Sequence, residues 1–138
     1  MRYIIAVIQP DRLDPVMRQL EDQQVHLVTV TTVLGRGRQK GVAEVYRSHK
    51  EVGGLLRKVK LEIAVNEEFV QPTIDAITKG AHSGEIGDGK IFVLDLKDCI
   101  RIRTGETGSE AIASFSGLHR RAPLLAAALG LAMFSLAG

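Results

Sequence analysis

The sequence predicts an α+β fold of four strands and two helices in the order β-α-β-β-α-β. Three observations predict it. Residues 59–65 carry large apolar side chains at every second position, four β-rich runs are spaced along the chain, and two stretches between them carry apolar residues at helical spacing.

Tyr3 to Gln9 is β-branched and apolar and reads as the first strand, ended by Pro10. Asp14 then suits a helix N-cap and Pro15 the first helical position, where its missing N–H costs nothing. Leu13, Val16, Met17 and Leu20 follow at helical spacing. Val25 to Val33, VHLVTVTTV, is a second β-rich run, ending at Gly35. In the third, VKLEIAV, Val59, Leu61, Ile63 and Val65 share one face. Asn66 can cap a second helix bearing Val70, Ile74 and Ile77. IFVLDL is the fourth strand, and Cys99 to Arg103 adds a short extended piece. This is the split pattern of ferredoxin-like folds, with both helices on one face of the sheet. The other face must be covered or carry polar groups, which points to oligomerisation.

A chain of 138 residues fits one domain with a real core. Its formal charge of +2 demands neither a nucleic acid nor an acidic partner. Cys99 is the sole cysteine, so an intrachain disulfide and a CxxC zinc site are both excluded, and a reducing cytoplasm is expected. The short apolar run before Pro10 is a strand, not a signal peptide.

The connection between the second and third strands is long, glycine-bracketed and charged: GRGRQKGVAEVYRSHKEVGGLLRK. Structureless connections longer than about 15 residues are uncommon in compact domains and tend to be functional. A plain long hairpin is the simpler reading, yet hairpins seldom carry this much glycine and charge at both bases.

Gly84, Gly87, Gly89 and Lys90 nearly spell a P-loop. Ile91, however, stands where a magnesium-binding hydroxyl is needed, and a helical stretch precedes the loop instead of following it. A P-loop NTPase is therefore excluded, but phosphate binding is not. Gly87 and Gly89 permit close backbone approach and Lys90 adds a charge. On an extended segment Arg101 and Arg103 would emerge on one side, with Ile100 and Ile102 on the other. Arg38, beside Gly37, could close the site from the long loop. Each charge-assisted bond to a polyphosphate contributes roughly 1.5–3 kcal/mol net. Singly, the arginines also fit an edge strand's defence and the glycines an ordinary αβ turn. The combination is more specific.

GRGRQKG, KVKLEI, GEIGDGKIF and IRIRTGETG, in this order and spacing, resemble the PII nitrogen-regulatory signalling family from Met1 to about Ile112. The resemblance implies a homotrimer of ferredoxin-like subunits binding ATP or ADP in the clefts between them. The domain would span residues 1–112, and its protruding T-loop, about 36–57, would dock on a target enzyme or membrane transporter. Carried over by position, Thr29, Gly37, Arg38, Gly87, Asp88, Gly89, Lys90, Arg101 and Arg103 would line the nucleotide site. Gln39 would help hold the Mg2+ that joins ATP to 2-oxoglutarate, and Lys58 would pair with the distal carboxylate of 2-oxoglutarate. For Lys58 the simpler alternative is a solvated lysine beside a strand. Metal and 2-oxoglutarate would thereby select one conformation of the loop, and ADP another.

The sequence departs from the family at the modification tyrosine, whose place holds Glu51, so uridylylation there is chemically impossible. Tyr46 offers a modifiable hydroxyl but packs better against the loop stem, and Arg47 matches an arginine that plugs ammonium channels in some relatives. Lys50 and Glu85 also depart from the usual residues, which bears on target choice. A divergent branch accompanies heavy-metal efflux systems, and membership in it stays open.

Residues 113–138 form a hydrophobic C-terminal extension beyond the usual family length. Ala122 to Gly138 is uncharged and follows His119, Arg120 and Arg121. As a helix it would span about 25 Å, short of the roughly 30 Å hydrocarbon core. Contact with the inner membrane's periphery, packing on the trimer and a disordered extension all fit.

The rival in class is an RNA-binding βαββαβ module, but such domains stack bases on aromatics of the central strands. VKLEIAV offers none, and YIIAVI has only Tyr3. An enzyme would need a base near the phosphates, and Asp88 is the one candidate close in sequence. A regulatory binder without dedicated catalysis is the expectation.

Overall fold

The computed structural model describes residues 1–37 and 54–113. Four strands, β1 (Arg2–Ile8), β2 (Thr29–Gly35), β3 (Leu56–Val65) and β4 (Gly89–Asp95), form one antiparallel sheet in the order β2-β3-β1-β4. Helices α1 (Leu13–Asp22) and α2 (Val70–Ala81) follow β1 and β3, and a single turn, α3 (Ser109–Ile112), closes the described chain. The predicted βαββαβ order and ferredoxin-like α+β class are thus found.

The core follows from the period of the strands. Ile4, Ala6 and Ile8 of β1 meet Ile63, Leu61 and Val59 of β3 in register, and all six are buried. Under them lie Val16 and Leu20 of α1 and Ala76 and Ile77 of α2. Full burial of one such Leu or Ile side chain contributes roughly 1.5–3 kcal/mol. The two helices touch at Gly80, where an added Cβ would lie 2.6 Å from the Val16 Cα. Arg12 completes this corner by donating from Nε to the Gly80 carbonyl at 3.0 Å.

Several boundaries differ from the sequence expectation. Helix α1 begins at Leu13, after a 3-10 turn over Pro10–Arg12, so Asp14 is not its cap and Pro15 lies inside the first turn. That turn has no intrahelical partner for its N–H groups, so Pro15 is still tolerated. Strand β2 starts at Thr29, not Val25. Val25 instead ends α1: Gln24 adopts φ 65°, and the Val25 amide donates to the Leu20 carbonyl at 2.9 Å. This is a Schellman-type closure with glutamine in the usual place of glycine. Asn66 precedes a 3-10 turn, Glu67–Phe69, without capping it, and its Nδ2 reaches the Ser109 carbonyl at 3.2 Å. The connection between β2 and β3 is 36–55, because Leu56 and Arg57 already belong to β3.

Substituting Gly80→Ala should force the helices apart and cost about 1–3 kcal/mol. Urea denaturation, with the midpoint lowered and the slope kept, would show it.

Candidate functional site

The glycine loop leaves the end of α2 and enters β4, and most of its shape is dictated by hydrogen bonds to one carboxylate. Asp88 accepts from the Ser83 amide at 2.8 Å, from the Gly84 amide at 3.1 Å and from the Ser83 hydroxyl. His82 Nδ1 stands 3.5 Å from the same carboxylate. The Ser83 hydroxyl and amide hold the Asp88 carboxyl below the usual aspartate range against the opposing effect of burial, with smaller help from the Gly84 amide and His82. Asp88 therefore braces the loop and is poorly suited to take up a proton as a base.

Gly87 and Gly89 have φ of 104° and 115°. At Gly89 the conformation is not the only constraint, since a Cβ there would sit 2.0 Å from the Val7 carbonyl oxygen. The β1–β4 register pairs Ile8 with Gly89. Continued by two residues, it would set Pro10 opposite Gly87, and proline has no N–H to give. The side chain of Gln9 fills that rung, its Nε2 donating to the Gly87 carbonyl at 2.7 Å. Gln9, Ser83 and His82 were not singled out from the sequence. A proline ending a strand beside a glycine turn is the signal that could have found Gln9.

Lys90 follows on the sheet face away from the helices and is exposed. Register sets it across Val7 from Lys60. Lys58 lies on the same face of β3, pairs in register with Val33 of β2, and is only 7% exposed. Burial lowers its pKa. A lysine freely solvated beside a strand is thus not what the fold contains.

The residues predicted to share a site divide into groups. Gly37 at the base of the long connection, and the loop Gly87–Lys90, lie at the same end of the sheet, because Gly35 pairs with Leu56 and Gly89 with Ile8, itself opposite Val59. They stand at opposite edges, β2 and β4, separated by three strand spacings or roughly 14 Å. Thr29 also lies on β2, opposite Glu62. One chain does not bring Thr29 to Lys90.

Arg101 and Arg103 do not lie on an extended piece. The Arg101 amide donates to the Glu106 carbonyl at 2.8 Å, and the Gly105 amide to the Arg101 carbonyl at 2.7 Å, so the segment folds into a turn. The Arg101 guanidinium donates to the carbonyls of Ala111 at 3.1 Å and Ala113 at 2.8 Å, and pairs with Glu106 at 3.3 Å. Arg103 is exposed in the turn, and Ile102 beside it is 97% exposed. Arg38, Gln39, Tyr46, Arg47 and Glu51 lie outside the described residues. Among the described residues no group of three His, Cys, Asp or Glu gathers that could hold a metal ion. Gln39, the residue expected to help hold magnesium, lies among the residues not described.

The open face carries Ile5, Val7, Phe92 and Leu94, the last two 49% and 46% exposed. Tyr3 shares it, donating its hydroxyl to Glu62 at 2.8 Å, and this bond raises its pKa. Among the described residues no helix is long and apolar enough to cross a membrane.

Asp88→Ala should release the Ser83 and Gly84 amides, speeding their hydrogen exchange at least tenfold for the loss of about 1.5–3 kcal/mol of charge-assisted bonding. Because the Asp88 pKa is depressed, the brace is complete above the ordinary value of about 3.9. It is lost only as pH falls through the lower folded value. Amide exchange followed by NMR against pH would show both.

Comparison with known proteins bears directly on this arrangement. The chain matches the family "Nitrogen regulatory protein P-II" over residues 1–106. It is 54% identical over 114 residues to nitrogen regulatory protein GlnK1 of Methanosarcina mazei, covering 81% of this chain and 97% of that one. It is 46% identical to nitrogen regulatory protein P-II 2 of Methanothermobacter thermautotrophicus, over 81% of this chain and 97% of the relative. To nitrogen regulatory protein P-II of Bradyrhizobium diazoefficiens it is 47% identical, over 81% of this chain and all of the relative. A recurring fold alone would not carry a function, but identity of this degree across the whole length of these relatives does. The chain belongs to the P-II nitrogen regulatory proteins, a family that signals and does not catalyse.

Proposed function

We propose that this chain works as a homotrimer that binds ATP or ADP between subunits and reports the occupancy through the segment between β2 and β3. The observation that carries this reading is the split of the site. The glycine loop and the base of the long segment share one end of the sheet but occupy opposite edges. A neighbouring copy that set its β2 edge beside this β4 edge would bring a second Thr29 and a second loop base to Gly87, Gly89 and Lys90. The exposed apolar face with Phe92 and Leu94 supports such an assembly.

In this reading the backbone at Gly87–Gly89 approaches the phosphates, and Lys90, Arg38, Arg101 and Arg103 offset their charge. The Asp88 carboxylate keeps the loop in shape, while its backbone amide would line the nucleotide site with Gly87, Gly89 and Lys90. Mg2+, when bound, would supply positive charge that offsets the triphosphate and the carboxylate of 2-oxoglutarate. Gln39 would orient that metal from the start of the T-loop. Lys58 would meet the distal carboxylate of 2-oxoglutarate. Its burial supports that role, since a poorly hydrated ammonium gains more from a carboxylate than a solvated one does. Tyr46 and Arg47 would present the loop to a cytoplasmic enzyme or a membrane transporter, with Glu51 unable to accept a uridylyl group. The extension after Ile112 would add a contact with the membrane surface.

Lys90→Ala and Arg103→Ala should each lower ATP affinity at least tenfold, about 1.4 kcal/mol, by calorimetry. Unchanged titrations would remove them from the site. Gln39→Ala should abolish the strengthening of ATP binding by 2-oxoglutarate while leaving ADP binding nearly intact. Undiminished synergy would contradict the metal-bridging role.

A further inference from the structure

We infer that Gln9 is a positioning residue for the phosphate-binding loop: it holds the Gly87 carbonyl against the end of β1 and so keeps that oxygen out of the anion's place. The inference rests on the nucleotide reading above and adds to it a residue that itself touches no ligand.

The argument starts from the ladder. Strand pairing between β1 and β4 stops at Ile8 and Gly89, and Pro10 cannot donate the next bond. Gly87 is free to take either sign of φ, as glycine is, and its peptide can therefore rotate at little cost. A rotated peptide would turn a carbonyl oxygen where an N–H is wanted, and carbonyl lone pairs repel phosphate. The first half of the loop is fixed independently, through Asp88 and the amides of Ser83 and Gly84. Its last turn depends on the 2.7 Å bond from Gln9. The trans peptide is planar, so fixing the carbonyl of Gly87 also fixes the direction of the following N–H. Gln9 suits the task because its side chain leaves an extended residue, with φ of −72° and ψ of 143°, at the strand's end. It can reach one rung further than the main chain can.

Two variants test this. Gln9→Met keeps the length and removes the donor. ATP affinity by calorimetry should fall about tenfold, while the urea midpoint stays within the range of ordinary surface changes. Gln9→Glu removes the donor at neutral pH but regains one when its carboxyl is protonated. Its ATP affinity relative to wild type, measured at each pH, should therefore climb as pH falls from 6 to 4, through the ordinary glutamate pKa of about 4.3. A residue with a merely structural role would not produce that climb. If wild type binds ATP and both variants bind it equally well at every pH, the inference is overturned and the nucleotide reading stands. If wild type binds no ATP, the nucleotide reading fails and the inference falls with it.

Discussion

Two backbones meet at Gly89 and Val7, and the candidate site depends on that meeting. No side chain fits between them. Close approach lets β4 pair with β1 from its first residue, which fixes where the preceding loop must turn. The turn needs Gly87 at positive φ and is closed from both sides, by Asp88 within the loop and by Gln9 across the strand. What looks in sequence like an incomplete phosphate motif is thus first a solution to a packing problem. Lys90 is then delivered to the open face by the alternation of β4, two residues short of Phe92.

The same sheet has one filled face and one open face. Its helix-covered face is filled by the β1 and β3 residues and closed by the α1–α2 crossing at Gly80. Its other face mixes Tyr3, Ile5, Val7, Phe92 and Leu94 with Lys58, Lys60, Glu62 and Lys90. Such a mixture of apolar and charged side chains fits the subunit contact proposed above. The division of the candidate site between the β2 and β4 edges follows from strand order alone.

Much of this was legible in the sequence. The every-second-residue spacing of Val59, Leu61, Ile63 and Val65 announced the core face, and the near P-loop spacing announced a turn that needs glycine. What escaped was set by tertiary contacts. Val25 looks like strand because it is β-branched, yet it closes α1 through a glutamine that adopts the glycine conformation. Asp14 resembles a cap, but the chain had already begun to wind at Pro10. Arg101 reads as one of two parallel forks, although local carbonyls at Ala111 and Ala113 claim its guanidinium. Gln9 left no periodic trace, since its part follows from the missing donor of its neighbour. In each case the deciding atom lies outside the window in which the pattern is read.

The two sheet margins have a further consequence, for biosynthesis. Among the described residues, β2 and β4 each present a row of backbone donors and acceptors with no neighbour beyond them in the sheet. A freshly made chain carries two adhesive borders of opposite position, and both productive and misdirected docking accelerate with crowding. Yield of the native species is then a contest between two concentration-driven encounters, won by whichever geometry closes on itself before a growing stack can form.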